Sequence, residues 1–528
     1  MIFTLLNNVY TVFSSEMIKK SLNDNPGDEK KENINEIGLK IIMNDNENTI
    51  IQNNIVLLCN GEIYNSRELF YHLGIEPNTE HSFEIIIPLY QKYGMEYTLQ
   101  LLDGVFSFFL LDNNIEIDNF KLYVARDPYG IKPLYILNPI ENNHKSSAII
   151  GFSSNKNVLN DFYNSLSYPS NKSYYEVKQF LPGTYSSYIL PSKVLSCWLP
   201  KKEYSRYYHY GFNSLMYEES SQYDVSNIVK NIQIFLIRAI EKRFDLYKNK
   251  NDKIKFLCYL DGSIGSSILA GLMKQYCIIH QLSLPETYSI ESAELNQGKQ
   301  VAEYLDLKHT EIIIKKEDIH NEIFCCKKET ECYYKMTCSP SDMENYAIYS
   351  LLIKKIEEQF KPLKNSNSRR YKNDVVLFLG NGCNIMMGEK IDPPMNHDSI
   401  GLPLSEGDES LGSTLSKSSS IHCSPKTKII EDPISFDYYT KKQLTNMYLN
   451  ESIYTVLERH QISYCCPFLD TSFVNYFLSI PPQIRFNSSK EINTFFLRLA
   501  FFRDYYVNTD GKDFLPDEIL WGMYKDNL

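Results

Sequence analysis

The sequence lacks features that would point to two large classes of protein. No run of about 18 apolar residues occurs along its 528 residues, so no segment is predicted to be a membrane-spanning helix. Positive charge is in deficit, because 54 lysines and arginines face 65 aspartates and glutamates and the net charge is −11. That balance would repel a nucleic acid or an acidic lipid surface. We therefore expect neither a nucleic-acid partner nor a membrane.

Cysteine is present but has no spacing that is typical of metal or redox chemistry. The 12 cysteines include the adjacent pairs Cys325/Cys326 and Cys465/Cys466, and no Cys-x-x-Cys occurs. That spacing argues against a zinc ribbon and a thioredoxin-like site. No metal site is predicted from the cysteines, and reduced, mostly buried thiols in a cytoplasmic protein are the expectation.

The most informative stretch is residues 255–273, KFLCYLDGSIGSSILAGLM. It predicts a buried strand at residues 256–260, a small polar loop at residues 261–267 and an apolar-periodic helix from Ser267 onward. In such a unit, N–H groups of the loop and of the first helical turn point to one place, where the helix dipole favours a phosphate. An ordinary strand-to-helix connection has the same pattern, so the context has to decide.

Upstream of residue 200, short apolar runs separated by polar turns predict a layered sheet domain. Strands are predicted at residues 2–13, 51–59, 105–111 and 120–125, a loop at 22–36, and helices from residue 66 and at 83–93. Asn65 is the predicted N-cap of the first helix, with Glu68 completing a capping box. Pro88 is expected to strain the second helix.

Three of these N-terminal segments carry a resemblance. NGEIYN at residues 60–65, LLDGVFSFFLLD at 101–112 and ARDPYGIKPLYI at 125–136 follow one another as in the glutaminase domain of class II glutamine amidotransferases. The resemblance implies a four-layered αββα domain of the Ntn type. It also implies that Asn60 and Gly61 stabilise the oxyanion of a thioester intermediate and that Glu62 holds the glutamine.

The residues that would hydrolyse glutamine in that domain are missing. The resemblance requires an N-terminal cysteine whose own α-amino group acts as the base, and Ile2 stands at its position. Ser82 stands where the family has an aspartate for the glutamine amino group, and residues 38–42 offer no counterpart of its arginine. No catalytic residue of this domain is therefore intact.

A glutaminase-like domain followed by a strand, a phosphate loop and a helix is the layout of the asparagine synthetase family. The chain resembles that family at about residues 1–135 and 225–505. The resemblance implies an α/β multidomain protein, with the first domain at residues 1–200 and a parallel-sheet synthetase domain of the PP-loop, HUP-like type at residues 201–528. Residues 391–428 are rich in Ser, Gly, Pro and Asp, which predicts a disordered insertion.

The resemblance also assigns positions in two ligand loops. Matches to the nucleotide and pyrophosphate loop are Asp261, Gly262, Ser263, Ser266, Ser267 and Ile290, and matches to the substrate loop are Gly380, Asn381, Gly382 and Asn384. Gly265 replaces the family's magnesium-binding aspartate, while Asp261 adds a carboxylate at the loop entrance. The substrate loop keeps its glycines but none of its acids. Cys465 and Thr494 replace an arginine and a pyrophosphate-binding lysine.

This pattern predicts a fold that is kept and a chemistry that is lost. The family reaction is the ATP-dependent amidation of aspartate to asparagine with glutamine as nitrogen donor, and ATP and Mg²⁺ are implied by the resemblance alone. Three hypotheses stay open: a pseudoenzyme that acts by binding, a divergent ammonia-dependent ligase, and another amidotransferase such as a β-lactam synthetase relative. Formation of AMP from ATP with aspartate or other carboxylates distinguishes them.

The expected partners follow from the same resemblance. They are the small molecules ATP, aspartate and glutamine, an active paralogue, and a second copy of the chain in a homodimer. ATP is expected to bind weakly and without Mg²⁺, because the carboxylate of Asp261 opposes a polyanion and Gly265 cannot bind the metal. The double change Asp261→Ser with Gly265→Asp is expected to reverse both properties.

Overall fold

The structure is a computed structural model in which three β-sheets carry the fold. It describes residues 2–6, 33–36, 39–43, 48–52, 54–114, 119–139, 149–165, 175–190, 198–209, 224–248, 254–290, 297–329, 340–360, 375–387, 432–447, 452–486, 494–506 and 511–522. Two sheets have six strands each and lie in the N-terminal part, and one has five strands and lies in the C-terminal part. No helix among these residues is long and apolar enough to cross a membrane.

The two N-terminal sheets are antiparallel throughout. Their strands are β1 Ile2–Leu6, β2 Asn33–Glu36, β3 Leu39–Met43, β4 Thr49–Gln52, β5 Ile55–Ile63, β6 Gly104–Asn114, β7 Asn119–Arg126, β8 Tyr135–Pro139, β9 Ile150–Ser153, β10 Tyr175–Gln179, β11 Thr184–Leu190 and β12 Leu199–Arg206. One sheet has the order β10-β8-β9-β1-β3-β2 and the other β12-β11-β7-β6-β5-β4. They stack face to face, as the side chains of β5 show.

Alternate residues of β5 enter different cores, since successive side chains of a strand point to opposite faces. Leu57 and Cys59 pack with the helices, and Val56 and Leu58 pack between the two sheets. The N-terminal helices are α1 Ser66–Leu73, α2 Ile86–Tyr93, α3 Met95–Leu101 and α4 Lys156–Ser165. Because α4 covers the outer face of the other sheet, the layers run helix, sheet, sheet, helix. The predicted four-layered αββα arrangement is confirmed.

The C-terminal sheet is parallel and has helices packed against it in one large core. Its strands, in the order β15-β14-β13-β16-β17, are β13 Lys255–Tyr259, β14 Glu286–Ile290, β15 His309–Ile312, β16 Val375–Phe378 and β17 Ser463–Cys465. The helices are α5 Val225–Lys248, α6 Ile264–Ile279, α7 Gln297–Tyr304, α8 Lys316–Glu329, α9 Pro340–Phe360, α10 Cys383–Met387, α11 Pro433–Asn446, α12 Ser452–His460, α13 Thr471–Ser479, α14 Pro482–Arg485, α15 Phe495–Ala500 and α16 Asp517–Leu520. The predicted parallel α/β domain is confirmed.

Two strand predictions in the N-terminal part were wrong. The apolar run at residues 51–59 is not one strand, because it belongs to the hairpin β4-β5, which turns at Asn54 with a φ of 62°. The segment 33–36, predicted as loop, pairs with β3 as strand β2. In both cases pairing with a neighbouring strand decided the structure, and the composition of the segment alone gave no sign of it.

Two helix predictions were also wrong. Asn65 precedes α1, but its side chain donates to the Leu101 carbonyl at 2.9 Å and accepts from the Asp103 N–H at 3.0 Å instead of capping the helix. Pro88 is the third residue of α2, which follows a 3₁₀ turn at Ser82–Ile85. A proline in the first turn removes an N–H that has no intrahelical partner, so it causes no strain there.

The predicted domain limit at residue 200 falls inside strand β12. This strand pairs with β11 up to the partners Thr184 and Arg206, so the antiparallel sheet continues past the limit. The division at that residue stays a prediction. The predicted insertion at residues 391–428 lies outside the described residues.

Candidate functional site

The predicted phosphate loop connects the central strand β13 to helix α6. Gly262 has a φ of +84°, which favours glycine, and a Cβ there would lie 2.6 Å from the Cβ of Gln297. The helix begins at Ile264, earlier than predicted, because the Ser263 side chain caps it by accepting from the Ser266 N–H. The predicted strand-loop-helix order is therefore present, with Ser266 and Ser267 inside the first helical turn.

Asp261 uses its carboxylate within this loop. Its Oδ1 accepts from the Ser263 N–H at 3.0 Å and from the Ser266 hydroxyl at 2.6 Å. The Ser267 hydroxyl donates to the Ser263 carbonyl at 2.8 Å, and its N–H donates to the same oxygen. Donors that a bound phosphate would need are thus already engaged by oxygens of the chain itself.

The predicted substrate loop lies against the phosphate loop. Strand β16 pairs in parallel with β13, so the carboxyl ends of both strands meet at one edge of the sheet. Gly380 lies so close that a Cβ on it would be 3.0 Å from the Ser266 backbone nitrogen. Asn381 and Gly382 form the turn, and Asn384 lies in helix α10.

The other predicted nucleotide residue lies on the neighbouring strand of the same sheet. Ile290 ends strand β14, which pairs with β13. The structure thus brings the predicted nucleotide-loop and substrate-loop residues together at one edge of the parallel sheet. Parallel α/β sheets bind their ligands at this edge.

The family's magnesium ligand does not fit at position 265. A Cβ on Gly265 would lie 2.7 Å from the Cβ and 2.9 Å from the Sγ of Cys383, which is a buried residue. No group of three or more His, Cys, Asp or Glu side chains that could hold a metal occurs in the part of the chain that the structure describes. A carboxylate at position 265 therefore requires a second change at Cys383.

The predicted glutamine-site residues lie near the C-terminal end of strand β5, not in a loop after it. Asn60, Gly61 and Glu62 pair with Ser107, Phe106 and Val105 of β6. A Cβ on Gly61 would lie 2.1 Å from the Val105 carbonyl oxygen, so only glycine lets the two backbones approach this closely. Ile2, at the nucleophile position, begins strand β1 opposite Met43.

Ser82 takes a structural role at the position of the family's aspartate. Its hydroxyl donates to Glu62 Oε2 at 2.5 Å and accepts from the Ile63 N–H at 3.0 Å. These bonds tie the end of β5 to the 3₁₀ turn Ser82–Ile85. Glu62, predicted to hold glutamine, is therefore engaged with the chain's own hydroxyl.

The Asn60 amide is bound by a residue of the C-terminal half. Asn60 Nδ2 donates to Glu458 Oε2 at 3.0 Å, across 398 residues of sequence. Glu458 Oε1 accepts from the Lys132 ammonium at 2.8 Å and from the Tyr464 hydroxyl at 3.1 Å. Burial raises the pKa of the Glu458 carboxyl, but Lys132 and Asn60 outweigh it and hold the pKa below its ordinary value.

A tightly bonded turn presents Lys132 to that carboxylate. Buried Asp127 accepts from the N–H groups of Tyr129, Ile131 and Lys132 at 3.0 to 3.1 Å. Buried Arg126 donates to the Lys132 carbonyl at 2.8 Å. The segment ARDPYGIKPLYI, noticed in the sequence for its resemblance, therefore has a physical role in placing one ammonium group.

A second group of charges joins the two halves near the C-terminal end of α5. Lys242 Nζ lies 2.6 Å from Asp103 Oδ2 and 3.3 Å from Asp470 Oδ2, and Arg243 lies 3.0 Å from Asp470. The Arg243 guanidinium also lies over the Tyr64 ring, with its carbon 4.4 Å from the ring centroid. Burial and the nearby Asp470 raise the pKa of the Asp103 carboxyl, against the effect of Lys242.

The remaining predicted positions are buried. Cys465 ends strand β17, and burial raises the pKa of its thiol to about 12, against the lowering effect of Arg243. Burial likewise raises the pKa of Cys59. Such thiols are unreactive. Thr494 precedes helix α15 and accepts from the Arg498 guanidinium.

Sequence reasoning missed Glu458 altogether. It lies in helix α12 and belongs to no motif. A local signal was absent, because its partners Asn60 and Lys132 are 398 and 326 residues away.

Comparison with known proteins agrees with this architecture. The model of a family described as "Glutamine amidotransferase domain" matches residues 38–159. A protein named "Asparagine synthetase [glutamine-hydrolyzing]" from Gallus gallus is 26% identical over 485 residues, which is 88% of this chain and 70% of the relative. The protein of that name from Homo sapiens is 25% identical over 487 residues, with the same coverage. With an antiparallel four-layered half joined to a parallel α/β half, this chain is similar over most of its length to proteins of the asparagine synthetase family.

Proposed function

We propose that this chain is a catalytically impaired or inactive asparagine synthetase-like protein that acts by binding. The family reaction is the ATP-dependent amidation of aspartate to asparagine with nitrogen from glutamine. The observation that supports the proposal best is the engagement of the phosphate loop by Asp261, whose Oδ1 accepts from the Ser263 N–H and the Ser266 hydroxyl. An internal carboxylate thus competes with a phosphate for the same donors.

The packing around Gly265 also supports the proposal. A side chain at position 265 is excluded by Cys383, so the loop has no carboxylate where the family binds magnesium. Two phosphates of a nucleotide would then face Asp261 without a compensating metal charge. We infer that any ATP binding is weak and independent of Mg²⁺.

The N-terminal half supports the same proposal independently. Ile2 supplies no thiol, Ser82 is engaged with Glu62, and the amide of Asn60 donates to Glu458. One of the two N–H donors of this amide is therefore engaged, and the carboxylate that it binds would repel an oxyanion formed beside it. We therefore expect no release of glutamate from glutamine. Release that a cysteine-directed inhibitor abolishes would contradict this expectation.

Calorimetric titration with ATP tests the C-terminal part of the proposal. Wild type should bind weakly, and the affinity should be the same with and without Mg²⁺. Asp261→Ser removes the opposing charge and should tighten binding about tenfold at physiological salt. Ser263→Ala is the matched control, because it disturbs the same loop without removing a charge.

Two results would contradict the proposal. Tight, Mg²⁺-dependent binding by wild type would show that the loop still takes a metal-nucleotide complex. Formation of AMP from ATP in the presence of aspartate and ammonia would show that chemistry is retained, and would favour the divergent ammonia-dependent ligase.

That second candidate has one observation in its favour. The strand-loop-helix unit and the adjacent substrate loop keep their backbone arrangement, with Gly262 and Gly382 both at positive φ. A ligase with substitute residues would need this same arrangement. AMP assays with aspartate and with other carboxylates distinguish it both from the pseudoenzyme and from a β-lactam synthetase-like ligase.

A protein without chemistry acts through a partner. An active paralogue of the family and a second copy of this chain are the two partners that the family likeness suggests. Light scattering of the purified protein, alone and mixed with an active asparagine synthetase, measures both: a mass of about twice 61.6 kDa would support a homodimer.

A further inference from the structure

We propose that Glu458 is an interdomain positioning residue, whose carboxylate fills an anion site formed by Lys132 and Asn60 and thereby fixes the N-terminal half onto the parallel-sheet half. The bond lengths are 2.8 Å to Lys132 Nζ and 3.0 Å to Asn60 Nδ2. A ligase and an inactive relative could both use this contact, so it stands apart from the question of catalysis.

The Lys132 side chain shows why the site requires an anion. Only 11% of it is exposed. Its ammonium lies 4.3 Å from the centroid of the Tyr464 ring and has Glu458 as its carboxylate partner. A shielded ammonium without a counter-charge is strongly disfavoured, so Lys132 needs a carboxylate at this place.

The donors around Glu458 match the shape of a carboxylate. Lys132 and the Tyr464 hydroxyl donate to Oε1, and the Asn60 amide donates to Oε2. The Tyr464 hydroxyl also lies 2.9 Å from the Ile131 carbonyl, which belongs to the turn that holds Lys132. Both oxygens therefore have donors, and these come from both halves of the chain.

Elements of the fold hold the two donors and the acceptor in place. Asn60 lies in strand β5, whose pairing with β6 is continuous from Ile55 to Ile63. Lys132 follows the turn bonded by Asp127, and Glu458 lies in helix α12. Because none of these groups is free to turn away, loss of the carboxylate should leave a preformed site for a small anion.

Chemical rescue of Glu458→Ala tests this. The full-length variant should melt at a lower temperature than wild type in scanning calorimetry, with the two halves unfolding in separate transitions. Sodium acetate should raise the melting temperature of the variant by about 2 to 4 °C more than that of wild type. Acetamide, which has the same shape without the charge, should not do so at equal ionic strength.

The matched control is Glu322→Ala. Glu322 is also shielded and bonds one lysine, Lys354, and one hydroxyl, that of Ser350, but all three lie in the C-terminal half. This variant should lose stability without splitting the transition. Lys132→Met in the Glu458→Ala background should abolish the acetate effect, because the ammonium is then gone.

A second measurement covers the case in which Glu458→Ala does not fold. Glu458→Gln keeps an acceptor for Asn60 but loses the charge that Lys132 needs. Its amide hydrogen exchange should speed up in peptides covering residues 127–135 and 452–460 and should stay unchanged at residues 309–312. Melting of Glu458→Ala as one wild-type-like transition, an equal acetate effect on wild type and variant, or unchanged exchange in Glu458→Gln would each overturn the proposal.

Discussion

The two predicted ligand sites are both engaged by a carboxylate of the chain, but the carboxylates come from different distances. In the phosphate loop, Asp261 reaches the Ser266 hydroxyl five residues away. In the glutamine site, Glu458 reaches the Asn60 amide across 398 residues. The first contact belongs to one loop, and the second holds two halves of the protein together.

The two sites should tolerate different kinds of change, because one contact is exposed and the other is shielded. Asp261 is exposed, so its bonds compete with water and its removal should alter ligand binding more than stability. Glu458 is 22% exposed and bonds a lysine that is 11% exposed, so its removal should alter stability first.

A double-mutant cycle at Lys132 and Glu458 should give the largest effect. Lys132→Met or Glu458→Leu alone leaves one shielded charge without its partner and should lower the free energy of unfolding by about 3 kcal/mol. The double variant should lose about 2 kcal/mol less than the sum of the single losses. Urea unfolding measures all three. The exposed pair Lys355 and Glu358 is the control and should give close to zero; additivity at Lys132 and Glu458 would remove the contrast.

Gly265→Asp should give an intermediate effect. The new side chain meets the Cβ of Cys383, so the free energy of unfolding should fall by about 2 kcal/mol. Adding Cys383→Gly should recover part of that loss, because it vacates the space. With Asp261→Ser as third change, ATP binding should become Mg²⁺-dependent, as the sequence predicted for the double change alone. Unfolding in urea and calorimetry measure the two properties, and Cys383→Gly by itself is the control.

A stable single variant Gly265→Asp with Mg²⁺-dependent ATP binding would contradict this packing.

The pH dependence of stability should give the smallest effect. The pKa of Glu458 is lowered in the folded protein, so its contribution is present above the ordinary carboxyl pKa and is lost as the pH falls through the folded value. Wild type should therefore lose more stability than Glu458→Gln between pH 5 and pH 3, by about 1.4 kcal/mol for each unit of pKa difference. Urea midpoints across that range measure it, and parallel curves would show that Glu458 carries no such linkage.

The sequence predicted the fold because its apolar patterns are strong and local. The long strands β6 and β7 lie where the predictions placed them, within a few residues. The turn of the hairpin β4-β5 and the strand β2 were not predicted, since both depend on pairing with a partner strand and not on the composition of the segment itself. The predicted start of helix α6 at Ser267 was wrong. The Ser263 side chain caps the helix, so α6 begins at Ile264.

The candidate site was predictable in its positions but not in its contacts. Gly265 was noticed as a missing carboxylate, yet only packing shows that Cys383 fills the space next to it. Asp261 was noticed as a repelling charge, and the structure adds that it accepts from donors of its own loop. A charge is visible in a sequence, but its hydrogen-bond partners depend on the backbone around it.

Residue types and their spacing along the chain were enough to predict the sheet class of each half, the order of the ligand loops and the absence of a cysteine at position 2. Only the tertiary structure decided what each site faces. Asn60, Lys132 and Glu458 meet because the two sheets pack in one orientation, and no local pattern encodes a contact across 398 residues. Lys132 and Asn60 then keep Glu458 ionised against the opposing effect of burial, because a nearby ammonium and an amide donor stabilise the charged carboxylate.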